Sequence, residues 1–156
     1  MRTAAALQLR AVRASDAAAL AAIHAAHTGR ARRAWWEQVV ARHGGGGRVG
    51  LVAVEGRRVV GYVFGQVREF EFGSDPCGWI FAVGVHPDRL RAGVASRLFE
   101  GARARFAELG VTLVRTMVRR DDVPVLTFFR NQGFVSGPYV ELELALSGAG
   151  PTEDDA

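Results

Sequence analysis

Residues 83–100, VGVHPDRLRAGVASRLFE, set a β-branched run, a proline and an arginine-flanked turn ahead of a helical pattern. A helix N-terminus exposes unpaired backbone N–H groups and the positive end of the helix dipole. Such a junction suits an anion, above all a phosphate. Gly93 and Ala95 lack bulk, which lets a phosphate approach the backbone, and Arg89 and Arg91 add charge at the rim. The turn can therefore cradle a pyrophosphate, although a helix start with small residues for packing explains it equally well. It is neither the G-x-G-x-x-G dinucleotide fingerprint nor a P-loop, which needs a lysine that this chain lacks. A second cluster is REFEFGSD, residues 68–75. On a strand, Glu69 and Glu71 share one face with Val67. Two carboxylates there could bind an ammonium and take its proton through water; a solvated edge is the alternative. His86 is a further base candidate by its intrinsic pKa, weighed against an ordinary surface turn histidine.

The elements that must position these residues are legible as periods. LQLRAV alternates as a first strand. ASDAAALAAIHAAH follows as a helix capped by Ser15 or Asp16. RARRAWWEQVVARH reads as a second helix with Trp35 and Val39 on one face, ended by the glycines 44–47. RVGLVAVEGRRVVGYVFGQVREFEF reads as two strands around a Glu55-Gly56 turn, and GWIFAVGV as another strand. A third helix runs from about Gly93 to Leu109, with Val94, Leu98, Ala102, Phe106 and Leu109 as its apolar stripe and Gly110 as its stop. VTLVRTMV is a further strand. DDVPVLTFFRNQ is a short helix with an aspartate cap and Pro124 in its first turn. FVSGPYVELELAL holds one or two closing strands, with Glu141 and Glu143 on a solvent face, and SGAGPTEDDA is a disordered tail. The expectation is an α/β fold with a mixed sheet and helices on its faces.

The chain's 156 residues suffice for one domain, expected over 1–146 with the tail at 147–156. With 49% hydrophobic and 23% charged residues, it has the composition of a soluble globular protein. No apolar run is long enough for a membrane span, and the N-terminus lacks a signal-peptide layout. The single cysteine, Cys77, excludes an internal disulfide and fits a reducing, cytoplasmic setting; its own reading is a small, semi-buried residue. All 20 basic residues are arginine, and the formal charge is +4. Arginine forks suit an anionic ligand, whereas their scatter argues against a nucleic-acid groove.

At VHPDRLRAGVA the sequence resembles the GNAT superfamily of acyl-CoA-dependent N-acyltransferases, whose main motif is a strand ending V-x-P, then R/Q-x-x-G-x-G/A opening a helix. Val85, Pro87, Gly93 and Ala95 match. A second family motif, Y-x-x-x-G-F, appears as FRNQGF, and VAVEGRRVVGYVFG resembles the family's paired second and third strands. The likeness spans roughly residues 7–146. It implies a central, mostly antiparallel sheet, splayed in a V between WIFAVGV and VTLVRTMV and flanked by about four helices.

It further implies acetyl-CoA as co-substrate, with no metal. Val83, Gly84 and Val85 would bond the pantetheine amides. The N–H groups of Arg91, Ala92, Gly93, Val94, Ala95 and Ser96 would take the pyrophosphate, and Phe129 would lie near the thioester sulfur. The pattern departs at three places. Leu90 fills the R/Q slot. Phe129 stands where many members carry a proton-donating tyrosine, with Tyr139 a substitute donor or a plain strand residue. Met117 stands where some members carry an acidic base. A thiolate with a pKa of about 8.5 can leave unassisted or with help from water.

The activity implied is transfer of an acetyl group from acetyl-CoA to a primary amine by direct attack in a ternary complex. The acceptor would be a small-molecule or peptide amine. No nucleic acid or membrane partner is expected, and a homodimer stays open. The alternative is a non-catalytic acyl-CoA-binding or regulatory module.

Overall fold

Alternating segments spread over residues 7–116 build one five-stranded sheet whose strands lie in chain order, with every neighbouring pair antiparallel except the last. In the computed structural model, which describes residues 6–148, the elements are β1 (Leu7–Ala11), α1 (Ala17–Thr28), α2 (Arg33–Arg42), β2 (Arg48–Glu55), β3 (Arg58–Arg68), β4 (Cys77–Val85), α3 (Val94–Glu108), β5 (Val114–Thr116) and α4 (Val123–Asn131). They fall into two compact units, Met1–Met117 and Val118–Ala156.

In the first unit the two faces of the sheet carry different helices. Tyr62, Phe64, Val52 and Val54 pack with Leu20 and Ile23 of α1 and Trp36 of α2. Trp36, rather than the expected Trp35, is the core tryptophan: it is fully buried, while Trp35 is 42% exposed. A helical stripe tolerates either of two adjacent positions until the partner face selects one. On the other face α3 approaches closely because β3 and β4 carry glycines there. A Cβ at Gly61 would meet Leu98 at 2.9 Å, and at Gly65 or Gly78 it would meet Phe106 at 2.7 Å.

The expected caps are partly realised. Asp16 stands at the N-cap position of α1 but its side chain makes no cap bond to that helix; it is buried, accepts from the Arg13 N–H (2.7 Å) and is gripped by Arg10 through two bonds of 2.7 and 2.8 Å. Burial pushes its carboxyl up, but the Arg10 and Arg13 bonds outweigh this and hold it below the usual value. Gly56 (φ 62°) closes the β2–β3 hairpin. Cys77 is more buried than expected, with Arg115 donating to its Sγ at 3.4 Å.

The second unit holds α4, which starts as expected: the Asp122 side chain accepts from the Val125 N–H at 3.2 Å, and Pro124 sits in the first turn. The closing strands expected within 134–146 do not form among the described residues. Val140, Leu142, Leu144 and Leu146 are 73–94% exposed. Alternation says which face a strand would bury, but a strand also needs a neighbour to complete its ladder, and this segment follows Gly137-Pro138, where the proline has no N–H to give. The expected tail lies almost wholly outside the described residues.

Candidate active site

The sheet opens between β4 and β5. Their parallel register runs only Gly78 to Val114, Trp79 to Arg115 and Ile80 to Thr116, and the Thr116 hydroxyl donates to the Ile80 carbonyl (3.0 Å) where pairing ends. Beyond it, β4 continues five residues with β3 on one side only. At the same point the β3–β4 register slips: Phe64 faces Ala82 and Gly65 faces Ile80, so Phe81 is an extra, bulged residue.

The register fixes which main-chain groups face the opening. The His86 N–H donates to the Val60 carbonyl (2.8 Å). Bonded and non-bonded pairs alternate in an antiparallel ladder. Gly84 and Ala82 therefore direct their main-chain groups to β3, while Val83 and Val85 direct theirs away from it, toward the opening. Of the three residues singled out in sequence, Gly84 thus belongs to the ladder. Its glycine is still required: a Cβ there would lie 2.5 Å from Tyr62 Cζ and Oη. Burial raises the pKa of that phenol to about 12, so it stays protonated.

The Val85 carbonyl is taken by a residue the sequence reading missed. His27, in the last turn of α1, places Nε2 2.6 Å from it. The one sequence signal was the spacing of His24 and His27, three apart on one flank of an alanine-rich helix. His43, just past α2, has Nδ1 2.6 Å from the Val39 carbonyl. Its ring lies 5.1 Å from Phe64 and 5.5 Å from Phe81, centroid to centroid. Burial, against the Val39 bond and with help from Arg48, lowers the pKa of His43. The ring is therefore neutral at pH 7. Its Nδ1 donates to the Val39 carbonyl.

After β4 the chain makes a single 3₁₀ turn, Pro87–Arg89, then runs through Arg91 (φ 65°) and Gly93 (φ 77°) into α3. Left-handed residues here turn successive N–H groups into a concave, anion-binding arrangement, continued by the first turn of α3. A Cβ at Gly93 would meet nothing within 4 Å. The backbone conformation, and not crowding, is therefore what demands glycine there. Arg91 is exposed at this turn. Arg89 is not available in the way the sequence suggested: its Nε is 2.7 Å from Glu55 Oε2. Arg58 holds Asp88 at 2.8 Å, so two ion pairs strap the turn to the β2–β3 hairpin. Leu90, in the slot of the motif's arginine or glutamine, is 55% exposed.

The carboxylate pair is elsewhere. β3 stops at Arg68, so Glu69 and Glu71 do not share a strand face; Phe70 (φ 53°) and Phe72 (φ 48°) turn the chain instead. Glu71 Oε1 pairs with Arg68 Nε at 2.9 Å, and the Arg68 guanidinium lies 4.7 Å over the Trp79 ring. This connection joins β4 at Cys77, about 20 Å along the strand from Val83. His86 faces Asp88, Nδ1 to Oδ1 2.7 Å. Met117 is 68% exposed and Tyr139 51%. Phe129, in the second unit, is buried between Phe128 and Phe134, at ring distances of 5.2 and 5.0 Å.

Residues 10–134 match the acetyltransferase (GNAT) family. A search of curated proteins finds no match. Among solved structures, the chain is similar to a transcriptional regulator from Bacillus halodurans C-125 (18% identity, 90% of this chain and 100% of that one, TM-score 0.76). It is also similar to a ribosomal-protein-alanine N-acetyltransferase from Brucella melitensis biovar Abortus 2308 (16%, 90% and 99%, 0.73). A third is the aminoglycoside N-acetyltransferase AAC(6')-Iy in complex with CoA (14%, 94% and 99%, 0.75). These likenesses concern the fold.

Proposed function

The chain belongs to the acetyltransferase (GNAT) family, and from that premise we propose that it moves an acetyl group from acetyl-CoA to a primary amine. The observation that carries the reading is the open edge of β4. Val83 and Val85 present main-chain groups with no strand among the described residues of the first unit to pair them beyond Ile80, beside a turn whose two left-handed residues suit a pyrophosphate. Acetyl-CoA matches both: amides along its pantetheine arm, phosphates at its end. On this reading the Val83 carbonyl and the Val85 N–H bond the arm, and residues 91–96 take the phosphates.

The chemistry asks little of side chains. A neutral amine attacks the thioester carbonyl, a C–N bond forms, the C–S bond breaks, and the thiolate leaves. Alignment of the two substrates supplies much of the acceleration. The Val83 N–H is the donor assigned to the developing oxyanion. With phenylalanine at 129 and methionine at 117, the thiolate departs without a tyrosine proton, and water accepts the proton lost by the amine. Calorimetry with acetyl-CoA, paired with free-thiol release against a panel of amines, tests the proposal. Binding with turnover supports it. Binding without turnover for any amine assigns the chain to acyl-CoA-binding modules. No binding refutes both.

A further inference from the structure

We propose that the acceptor is an amine carrying a negative charge, a carboxylate or a phosphate, selected by the arginines of α2 and of the connection leading into it from α1; this rests on the acetyl-transfer reading above. Both ends of the α1–α2 pair stand over the open stretch of β4. The last turn of α1 is pinned there by His27 on the Val85 carbonyl (2.6 Å). The end of α2 lies there through His43, 5.5 Å from the bulged Phe81. An acceptor reaching the opening on this face passes the segment Ala17–His43.

That segment carries Arg30, Arg32, Arg33 and Arg42 against one carboxylate, Glu37, giving four minus one, or a net +3. Glu37 is itself held by Arg33 at 2.8 Å. The carboxylates at the adjoining end of the sheet are committed as well: Glu55 to Arg89, Asp88 to Arg58, Asp16 to Arg10. A polycationic acceptor such as an aminoglycoside needs carboxylates to receive its ammonium groups, and this mouth offers arginines. An anionic group on the acceptor is attracted instead, and arginine forks match carboxylate and phosphate oxygens.

The test uses four small amines with the full chain at saturating acetyl-CoA: β-alanine, O-phosphoethanolamine, 3-aminopropanol and 1,3-diaminopropane. Rates are read as free-thiol release and compared per unit of unprotonated amine. At low salt, kcat/KM for at least one anionic amine should exceed that of the diamine by about tenfold or more, with the alcohol between them. The two anionic amines tell carboxylate from phosphate. The preference should shrink severalfold near ~0.5 M salt, where the screening length is about 4 Å. The double variant Arg30→Glu, Arg33→Glu should cut the anion-to-diamine ratio at least about fivefold. A diamine used as well as the anionic amines overturns the inference, as does a salt-independent ratio or no release with any of the four. Acetyl-CoA binding, measured in parallel, reports separately on the acetyl-transfer reading, which falls only if that binding is absent.

Discussion

Gly84→Ala should damage both stability and cofactor affinity, through one contact. A methyl group at this position would lie 2.5 Å from Tyr62 Cζ and Oη and 2.8 Å from Cε1, against an ordinary contact of about 3.5–4 Å. The ring has nowhere to retreat. Tyr62 is 3% exposed and its ring meets Trp36, itself fully buried, at 4.7 Å. Overpacking of this kind costs about 1–3 kcal/mol, which lowers Tm by about 3–10 °C for a chain of this size. If β4 moves instead, Val83 and Val85 shift with it and acetyl-CoA binding weakens. A loss of about 1.4 kcal/mol there reads as tenfold in Kd. Calorimetry measures both quantities on one preparation. Tyr62→Phe removes only Oη and leaves Cζ in place, so it rescues little. Tyr62→Leu removes the ring, and the Gly84→Ala, Tyr62→Leu pair should couple favourably by about 1 kcal/mol or more. A Gly84→Ala protein with unchanged Tm and unchanged Kd refutes the packing argument.

Gly93→Ala should cost about 1–2 kcal/mol, because its φ of 77° strains any Cβ, while Gly93→Asn is better tolerated; Gly93→Glu should additionally abolish acetyl-CoA binding in a folded protein, and unchanged affinity would move the phosphate site elsewhere. Burial lowers the pKa of both His24 and His43 below 6.5. Their neutral forms are thus preferred in the fold. Their contribution is complete above about pH 6.5 and is lost as pH falls toward the folded values, so Tm should decline from pH ~7.5 to ~5, and His43→Phe should flatten that slope. Glu69→Gln and Glu71→Gln should leave kcat within about twofold, given a separation of about 20 Å from Val83 along the strand; a lost acidic limb in the pH–rate profile would restore a carboxylate as the base.

Most of the architecture was legible because periodicity and turn chemistry are local. The Gly56 hairpin, the Gly93 start and Gly110 stop of α3, and the Asp122 cap all stand where the residue types place them. What stayed hidden depends on partners. The choice of Trp36 over Trp35 is made by Tyr62 and Phe64 across the interface. The end of β3 at Arg68 is set by where the ladder stops and Phe70 turns left-handed. EFEF alternates as well as any strand, so no period could report it.

The opening in the sheet shows the same limit at its most consequential. VTLVRTMV and GWIFAVGV both look like strands able to pair along their whole length, yet only three residues of β5 do so. A parallel ladder persists only while both backbones keep one direction and twist. The bulge at Phe81 changes the twist of β4 where Thr116 makes its last bond to Ile80. One inserted residue between two strands thus leaves Val83 and Val85 without a strand partner on that side. The motif VHPDRLRAGVA points to the turn that follows. The pairing lost before that turn, and the histidine from α1 that takes one carbonyl, exist only once three separate segments meet.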